Sequence, residues 1–343
     1  MSHHRSQVGP LEPSGPLELS DLLIGGLVSA APLSRRDLVG RVALAAGTLG
    51  AAGVLAACGA GSGGQAQQPA AAGSLRALVG NVQQLSLLNA QSQLPAGRSR
   101  FAFGLSAENN RLVEGVAPQV WIAKDQTSKA LGPYPARWLA MTGYDKTKDR
   151  SPRSELTGFY LAEVDLPDPG NWLAVALVEV ASQRAAAQGT IPVRQQVVAQ
   201  VGTKASSGPT PVATSTSALA KICTRKPPCP LHYISLDQAL ESGKPTVLSF
   251  ATPLLCPSRM CGPVVDEQMA VFEKLGKRNA NFLHLEIYPQ RDTNKPAPLF
   301  TTWGFQSEPW MIVIDRARVI RGRLGEGPVV APEIEAALQP LLS

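Results

Sequence analysis

The residues with the clearest chemical potential in this chain are its five cysteines. Four of them form two close pairs, Cys223 with Cys229 and Cys256 with Cys261, whereas Cys58 stands alone near the N-terminus. Close cysteine pairs are typical of proteins outside the reducing cytosol, where they form structural disulfides or exchange disulfides with other proteins. The two pairs are therefore the first candidates for a functional site.

The second pair lies where an apolar run at residues 246–251 gives way to a helical apolar pattern. This order predicts a strand that leads into a helix, with Cys261 at the start of the helix. A cysteine in that position lies at the positive end of the helix dipole, which favours the thiolate and makes the sulfur a better nucleophile at neutral pH. The arrangement favours redox chemistry.

The step Cys261-Gly262-Pro263, with the strand before it and the helix after it, resembles the thioredoxin superfamily, whose motif is Cys-Gly-Pro-Cys. In this chain the fourth position is Val264 and the second cysteine lies upstream, so the pair is Cys-x4-Cys. The resemblance extends over residues 223–343, where we expect the order helix, strand, helix, strand, helix, strand, strand, helix. It implies an α/β thioredoxin-like domain, with a central mixed sheet flanked by helices.

In the same resemblance Pro309 corresponds to the proline that the superfamily holds in cis beside its cysteines, directly before a core strand. A cis X-Pro bond there turns the chain and leaves backbone groups free to pair with a bound peptide. Cys256, Cys261 and Pro309 are thus the predicted catalytic residues.

Three functions are open for this site. The function that we predict is thiol-disulfide exchange, with Cys261 as nucleophile and Cys256 as resolving cysteine, or with these roles reversed. In the second, the disulfide is structural and the domain is a redox-inactive binding module. In the third, the pair binds copper together with a histidine such as His284, as in Sco-type oxidase-assembly proteins, whose site is Cys-x-x-x-Cys plus a distant His.

The first pair, Cys223 and Cys229, encloses a short loop that contains two prolines, and we predict a local disulfide between them. In the chain-entropy description, closing such a loop contributes roughly 2 kcal/mol, which is enough to hold the start of a domain in place. A zinc site here would enlist His232 and would need a fourth ligand, and the sequence offers no candidate nearby. We therefore expect neither a bound metal nor a cofactor.

Near the N-terminus, Arg35 and Arg36 precede an Ala- and Gly-rich apolar run that ends in Leu-Ala-Ala before Cys58. This pattern resembles a twin-arginine export signal joined to a bacterial lipobox. It implies removal of residues 1–57 as a signal peptide and attachment of a lipid to Cys58. The protein would then be lipid-anchored to the cell membrane on its extracytoplasmic face. The leader ahead of the arginines is long, and we expect a start downstream of Met1.

Residues 98–201 carry short alternating apolar runs separated by turn clusters, which predicts a small all-β sandwich. The passage from Tyr160 to Trp172, with its Pro-Gly-Asn-Trp ending, resembles immunoglobulin-like extracytoplasmic bacterial domains. Copper binding is not expected there, because the segment contains no His and only Met141. Residues 58–97 are predicted to be a flexible tether and residues 202–222 a linker, since both are rich in small and polar residues.

Charge and composition exclude several classes of function. The formal net charge is +6, but the basic residues are scattered and not interleaved with aromatic ones, so no nucleic acid is expected as a partner. The predicted mature chain has only His232 and His284, with which no Ser-His-Asp set can be proposed, and no phosphate-binding glycine loop, so we expect neither a hydrolase nor a nucleotide-dependent function. The expected partners are protein thiols or disulfides of the cell envelope, and the membrane through Cys58.

Overall fold

The structure, a computed structural model, describes residues 71–141, 157–180, 182–195 and 198–343. The predicted signal peptide, its twin arginines and the predicted lipidation site Cys58 lie outside the described residues. Among the helices that are described, none is long and apolar enough to cross a membrane.

A closed β-sheet forms the first part of the described chain. Its strands are β1 (Gln83–Asn89), β2 (Leu94–Pro95), β3 (Gly97–Ser106), β4 (Gln119–Ala123), β5 (Leu131–Ala140), β6 (Gly158–Leu166), β7 (Gly170–Val180) and β8 (Gln183–Arg194). They follow the order β1-β3-β6-β5-β4-β7-β8, and β1 also pairs in parallel with β8, so that the sheet closes on itself. The short β2 adds to β8 in parallel.

The interior of the closed sheet is filled from alternate strand positions, because successive side chains of a strand point to opposite faces. The rings of Phe101 and Phe103 on β3 stack with centroids 4.9 Å apart, and Phe103 lies 5.6 Å from the ring of Tyr160 on β6. The buried Tyr160 hydroxyl donates a hydrogen bond to the Val113 carbonyl at 2.9 Å, which satisfies its polar group.

The predicted immunoglobulin-like sandwich is wrong. A sandwich needs two facing sheets, whereas β1 pairs with both β3 and β8 and joins the strands into one closed sheet. β1 and β2 also lie inside residues 58–97, where the sequence predicted a tether. The sequence of β1, Gln-Gln-Leu-Ser-Leu-Leu-Asn, is largely polar and mostly exposed, so its alternation is weak and its strand conformation depends on partners far along the chain.

The second part of the described chain contains a four-stranded mixed sheet. Its strands are β9 (Thr246–Phe250), β10 (Asn281–Leu285), β11 (Trp310–Ile314) and β12 (Ile320–Glu326), in the order β10-β9-β11-β12. β9 and β10 are parallel, and the other two pairings are antiparallel. The described helices are α1 (Leu75–Val79), α2 (Thr216–Ile222), α3 (Leu236–Glu241), α4 (Cys261–Asn279), α5 (Pro298–Thr302) and α6 (Ala331–Leu338), followed by a 3-10 turn at Gln339–Leu341.

The predicted fold class, an α/β thioredoxin-like domain after a small sandwich, is contradicted by this architecture. The described chain is mostly β, with a closed sheet and a separate four-stranded sheet, and its helices are short except for α4. From α3 to α6 the order of helices and strands agrees with the predicted order. The error arose because a local order of elements was extended to a whole fold, although strand pairing between distant segments decides the architecture.

Residues 202–222, predicted as a flexible linker, are bound to the second sheet. The N–H of Ile320 donates to the Thr203 carbonyl at 2.9 Å, and the N–H of Ala205 donates to the Arg318 carbonyl at 2.8 Å. The segment thus runs along β12 and then forms α2. Backbone hydrogen bonds to an edge strand hold it in place despite its small, polar side chains.

An ion pair joins the closed sheet to α6. Arg100 on β3 donates from Nε and Nη2 to the two carboxylate oxygens of Glu333, at 2.8 and 2.7 Å. Both side chains are largely buried, and Arg100 Nη2 also donates to the Pro328 carbonyl at 2.6 Å. Because two hydrogen bonds join the same pair of side chains, they fix the relative orientation of Arg100 and Glu333 as well as their separation.

Candidate functional site

Cys256 and Cys261 form a disulfide at the start of α4. Cys261 is the first residue of the helix and is fully buried, whereas Cys256 lies in the preceding loop and is 8% exposed. Cys256 is therefore the more exposed of the two cysteines. This difference favours the second of the two predicted assignments, in which a partner thiol attacks Cys256.

The loop that carries Cys256 follows directly from β9. Two turns shape it, in which the N–H of Leu255 donates to the Thr252 carbonyl at 3.0 Å and the N–H of Arg259 donates to the Cys256 carbonyl at 3.1 Å. Pro263 lies in the first turn of α4, where its missing N–H costs nothing. These turns bring Cys256 back to the N-terminal end of α4, where it bonds to Cys261.

Glu308 lies beside the disulfide and was not identified from the sequence. One of its carboxylate oxygens and the two sulfurs of Cys256 and Cys261 lie within 4.8 Å of one another. The carboxylate accepts a hydrogen bond from the N–H of Thr252 at 2.7 Å. Burial raises the pKa of Glu308 to about 7. The sequence feature that could have indicated Glu308 is its position directly before Pro309.

Pro309 lies where the sequence placed it, directly before β11, and the Glu308–Pro309 peptide bond is cis. The backbone N–H of Gly327 donates to the Pro309 carbonyl at 3.1 Å. Trp310, the residue after Pro309, pairs with Phe250 at the end of β9, so Pro309 lies at the end of the second sheet from which the disulfide loop starts.

Cys223 and Cys229 are free thiols in the structure, and the disulfide predicted between them is not formed. Their sulfurs are 3.7 Å apart, and both side chains are buried. The ligand atoms of Cys223, Cys229, His232 and His284 all lie within 4.8 Å of one another. We call this set the Cys2His2 cluster.

The backbone places His232 and His284 next to each other. His284 is on β10, the outer strand of the second sheet, and its N–H donates to the Leu231 carbonyl at 3.0 Å. This bond draws the segment that follows Cys229 along the free edge of β10. The two imidazole rings consequently have centroids 4.9 Å apart.

The ring of His284 is fixed from both sides. Its Nδ1 lies 3.3 Å from the sulfur of Cys229 and 3.9 Å from that of Cys223, and its Nε2 lies 3.0 Å from the Ala251 carbonyl oxygen. A carboxylate oxygen of Glu286 is 3.8 Å from the same Nε2. Since a carbonyl oxygen only accepts, the Nε2 carries a hydrogen, and the Nδ1 faces the two sulfurs.

The protonation of the Cys2His2 cluster is strongly perturbed. The hydrogen bond with Cys229 holds the pKa of Cys223 far below its usual range, and the same bond together with burial raises the pKa of Cys229. Burial lowers the pKa of His232. For His284 burial also acts to lower the pKa, but the contacts with Cys223 and Glu286 outweigh it and the pKa is raised.

The structure separates His284 from the pair to which the copper hypothesis assigned it. The His284 Nδ1 faces Cys223 and Cys229 instead of Cys256 and Cys261. The zinc site considered from the sequence lacked a fourth candidate ligand, and the structure places the His284 ring beside Cys223, Cys229 and His232. The sequence pattern around His284 predicts only a strand and does not indicate that His284 is near the cysteines. His284 reaches them because β10 pairs with β9 and with the 223–232 segment.

Comparisons with known proteins identify no family. No family model matches the sequence, and no curated protein matches it. Among solved structures, the trigonal form of titin M4 is similar over 34% of this chain and 100% of the titin chain, with 12% sequence identity and a TM-score of 0.17. At that TM-score the likeness carries no argument about fold or function.

Proposed function

We propose that this protein carries out thiol-disulfide exchange through Cys256 and Cys261. The observation that supports this most is the combination of a disulfide at the N-terminus of α4 with the Glu308 carboxyl, whose pKa is raised to about 7 by burial. A group with such a pKa can donate or accept a proton near neutral pH, which each half of the exchange requires.

The exchange begins when a substrate thiolate attacks the sulfur of Cys256. The bond from the substrate sulfur to Cys256 forms while the Cys256–Cys261 bond breaks, and the electron pair of the broken bond goes to Cys261, which leaves as a thiolate. A second thiolate of the substrate then attacks the substrate sulfur that is bonded to Cys256. A disulfide forms within the substrate, the mixed disulfide breaks, and Cys256 leaves as a thiolate. The substrate loses two electrons and two protons, and the cysteine pair gains them; the reverse sequence reoxidises the pair.

The surroundings of Cys261 suit a leaving group. Cys261 is the first residue of α4, at the positive end of the helix dipole, which stabilises the departing thiolate. Glu308, when protonated, supplies the proton that neutralises this thiolate, and its conjugate base takes the proton back in the reverse reaction. Full burial of Cys261 directs the substrate to Cys256.

We further propose that the substrates are protein thiols or disulfides of the bacterial cell envelope. The basis is the export signal and lipobox of the sequence, which would anchor the protein to the membrane through Cys58. Leu254, two residues before Cys256, is 48% exposed and offers an apolar contact for a substrate peptide.

One observation favours a second function, in which the disulfide is structural and the domain is a binding module. Cys261 has no exposed surface, and buried disulfides resist reduction. The two functions differ in the reduction potential that they require. Structural disulfides of exported proteins typically lie below about −300 mV, whereas exchange needs a higher value.

The deciding experiment measures this potential by equilibration with glutathione. It also tests variants with a small disulfide substrate, oxidised glutathione, which the free thiolate of a variant attacks with release of one reduced glutathione. We expect a potential above about −300 mV, and we expect the Cys261→Ser variant to accumulate mixed disulfides at Cys256. Ser258→Ala is the matched control, because its hydroxyl lies 3.3 Å from the Cys256 sulfur but takes no part in the exchange. A potential below that limit, with no mixed disulfide at either cysteine, would establish the structural role. Trapping at Cys261 in a Cys256→Ser variant would instead reverse the two roles.

A further inference from the structure

We propose that Cys223, Cys229, His232 and His284 bind one zinc(II) ion in a closed tetrahedral site. The site is separate from Cys256 and Cys261, and the proposal does not depend on their exchange activity. Two thiolates and two imidazoles are among the usual ligand sets of structural zinc, which takes four protein ligands and no water. All four side chains are buried in the structure.

The spacing of the ligand atoms agrees with a tetrahedral zinc ion. Zinc bonds of about 2.3 Å to sulfur at the tetrahedral angle place two sulfurs about 3.8 Å apart, and the sulfurs of Cys223 and Cys229 are 3.7 Å apart. A disulfide would need about 2.05 Å. A zinc-bound sulfur and nitrogen lie about 3.6 Å apart, and the His284 Nδ1 is 3.3 and 3.9 Å from the two sulfurs.

Hydrogen bonds outside the cluster orient its ligands as they do in metal sites. A metal-bound imidazole usually donates its other N–H to a carbonyl or carboxylate, and the Nε2 of His284 donates to the Ala251 carbonyl with Glu286 nearby. The backbone N–H of Cys229 donates to the sulfur of Cys223 at 3.4 Å, which stabilises a thiolate there. Glu286 is itself held by the N–H and hydroxyl of Thr224, at 2.5 and 3.0 Å.

His232 supplies an independent sign of an absent ligand. Its side chain is 4% exposed, and its Nε2 is buried with no hydrogen-bond partner among the described residues. A buried polar atom without a partner costs free energy, and a metal bound by this ring removes the cost where that nitrogen is the ligand.

Charge favours zinc(II) over copper(I), although both accept sulfur and nitrogen ligands. Two thiolates and two neutral imidazoles around zinc(II) sum to zero net charge, whereas the same ligands around copper(I) leave one negative charge. An uncompensated buried charge is costly, and the carboxylate of Glu286 already lies against His284. Binding of zinc releases the thiol protons that remain.

The site would fasten the segment that follows α2 to the second sheet. Cys223 ends α2, His232 lies past the loop, and His284 is on β10, so one ion ties three parts of the chain together. Its ligands also contact the loop that carries the disulfide, because Ala251 accepts from His284 and the N–H of Leu254 donates to the Thr224 hydroxyl at 3.2 Å. The proposed role of zinc is thus structural, at the base of that loop.

The test uses the full chain, freed of metal with a chelator under reducing conditions and then loaded with zinc(II) or cobalt(II). We expect one zinc per chain by elemental analysis, and for cobalt(II) the intense visible bands and sulfur charge-transfer band of a tetrahedral S2N2 site. The cobalt spectrum of the unaltered chain decides the proposal even where a variant fails to fold. The His284→Ala variant should lose more than 100-fold in zinc affinity, while a Cys256→Ser/Cys261→Ser variant should keep one zinc.

Three results would overturn the proposal. The first is the absence of stoichiometric zinc and of the cobalt bands in the reduced chain. The second is a Cys223–Cys229 disulfide found by non-reducing peptide mapping of protein isolated without added oxidant. The third is tight copper(I) binding by the cluster with no measurable binding of zinc(II).

Discussion

Cys256 and Cys261 are separated by four residues and Cys223 and Cys229 by five, and both pairs contribute to the same apolar cluster of the second sheet. Their surroundings differ. Cys256 and Cys261 are bonded to each other at the start of a long helix, next to the titratable Glu308, and Cys256 is 8% exposed. Cys223 and Cys229 are not bonded to each other; both are buried, and they face His232 and His284. Similarly spaced cysteine pairs thus lie in two different chemical environments, because the fold brings different side chains to each pair.

The two sites are also neighbours. His284 of the Cys2His2 cluster contacts the carbonyl of Ala251, and the next residue, Thr252, donates its N–H to Glu308 beside the disulfide. Each site can therefore be perturbed while the other serves as its control.

Replacing one cysteine of each pair by serine should give the largest effects: one variant should lose zinc and stability, and the other should lose exchange activity. Cys229→Ser removes a zinc ligand and should destabilise the protein by about 4 kcal/mol, since loss of a structural metal is among the costliest single changes. Cys256→Ser should abolish exchange and leave zinc at one per chain. Denaturant unfolding, elemental analysis and a dithiol oxidation assay measure the three quantities. Equal loss of zinc in both variants would show that the pairs form a single site.

The next effect concerns the proton of the exchange reaction. Glu308→Gln keeps the shape of the side chain but cannot transfer a proton, so the exchange rate near neutral pH should fall about 100-fold. The rate of the unaltered protein should vary with pH around the Glu308 pKa of about 7, and the variant should lack that inflection. Stopped-flow measurement of substrate oxidation from pH 5 to 9 tests both. A retained inflection would assign it to another group.

A smaller effect is expected at the outer partner of His284. Glu286→Gln keeps an oxygen for the N–H of Thr224 but removes the charge next to the His284 ring. Loss of such an outer partner typically weakens metal affinity by roughly 10-fold to 100-fold, and we expect the lower end because Ala251 still accepts from the ring. Competition with a chromogenic chelator measures the affinity. Glu308→Gln is the matched control and should leave it unchanged.

The smallest effect is a dependence of stability on pH that belongs to the disulfide site alone. Glu308 has a pKa of about 7 in the folded protein against 4.5 for the free group, so between these values the folded state binds more protons than the unfolded state. The stabilisation is complete below the lower pKa and is lost as the pH rises through 7. Because solvent reaches part of the carboxyl, we expect about 1 kcal/mol. The difference in unfolding free energy between the protein and Glu308→Gln, taken from pH 4 to 8, isolates this term; a difference that stays constant over the range would contradict it.

The local elements around the sites could be predicted from the sequence. The strand at the apolar run before Cys256, the helix that begins at Cys261 and the strand that follows Pro309 all lie where the pattern placed them. These features depend on side-chain periodicity and on capping and turn residues within a few positions, which a single sequence displays directly. Gly276, with a φ of +65°, interrupts α4 near its C-terminal end.

What the sequence alone determined is therefore the identity and local setting of the chemical groups, and the tertiary structure decided which of them meet. The polar strand β1 closes a sheet by pairing with β8, about one hundred residues away, and no local pattern announces that contact. In the same way His284 joins Cys223, Cys229 and His232 only because β10 pairs with β9 on one side and with the segment at Leu231 on the other. Hydrogen bonds between distant strands set these contacts, and the register of the strands depends on the whole packed chain. Residue spacing in the sequence therefore could not predict the fold class or the position of His284 beside the cysteines.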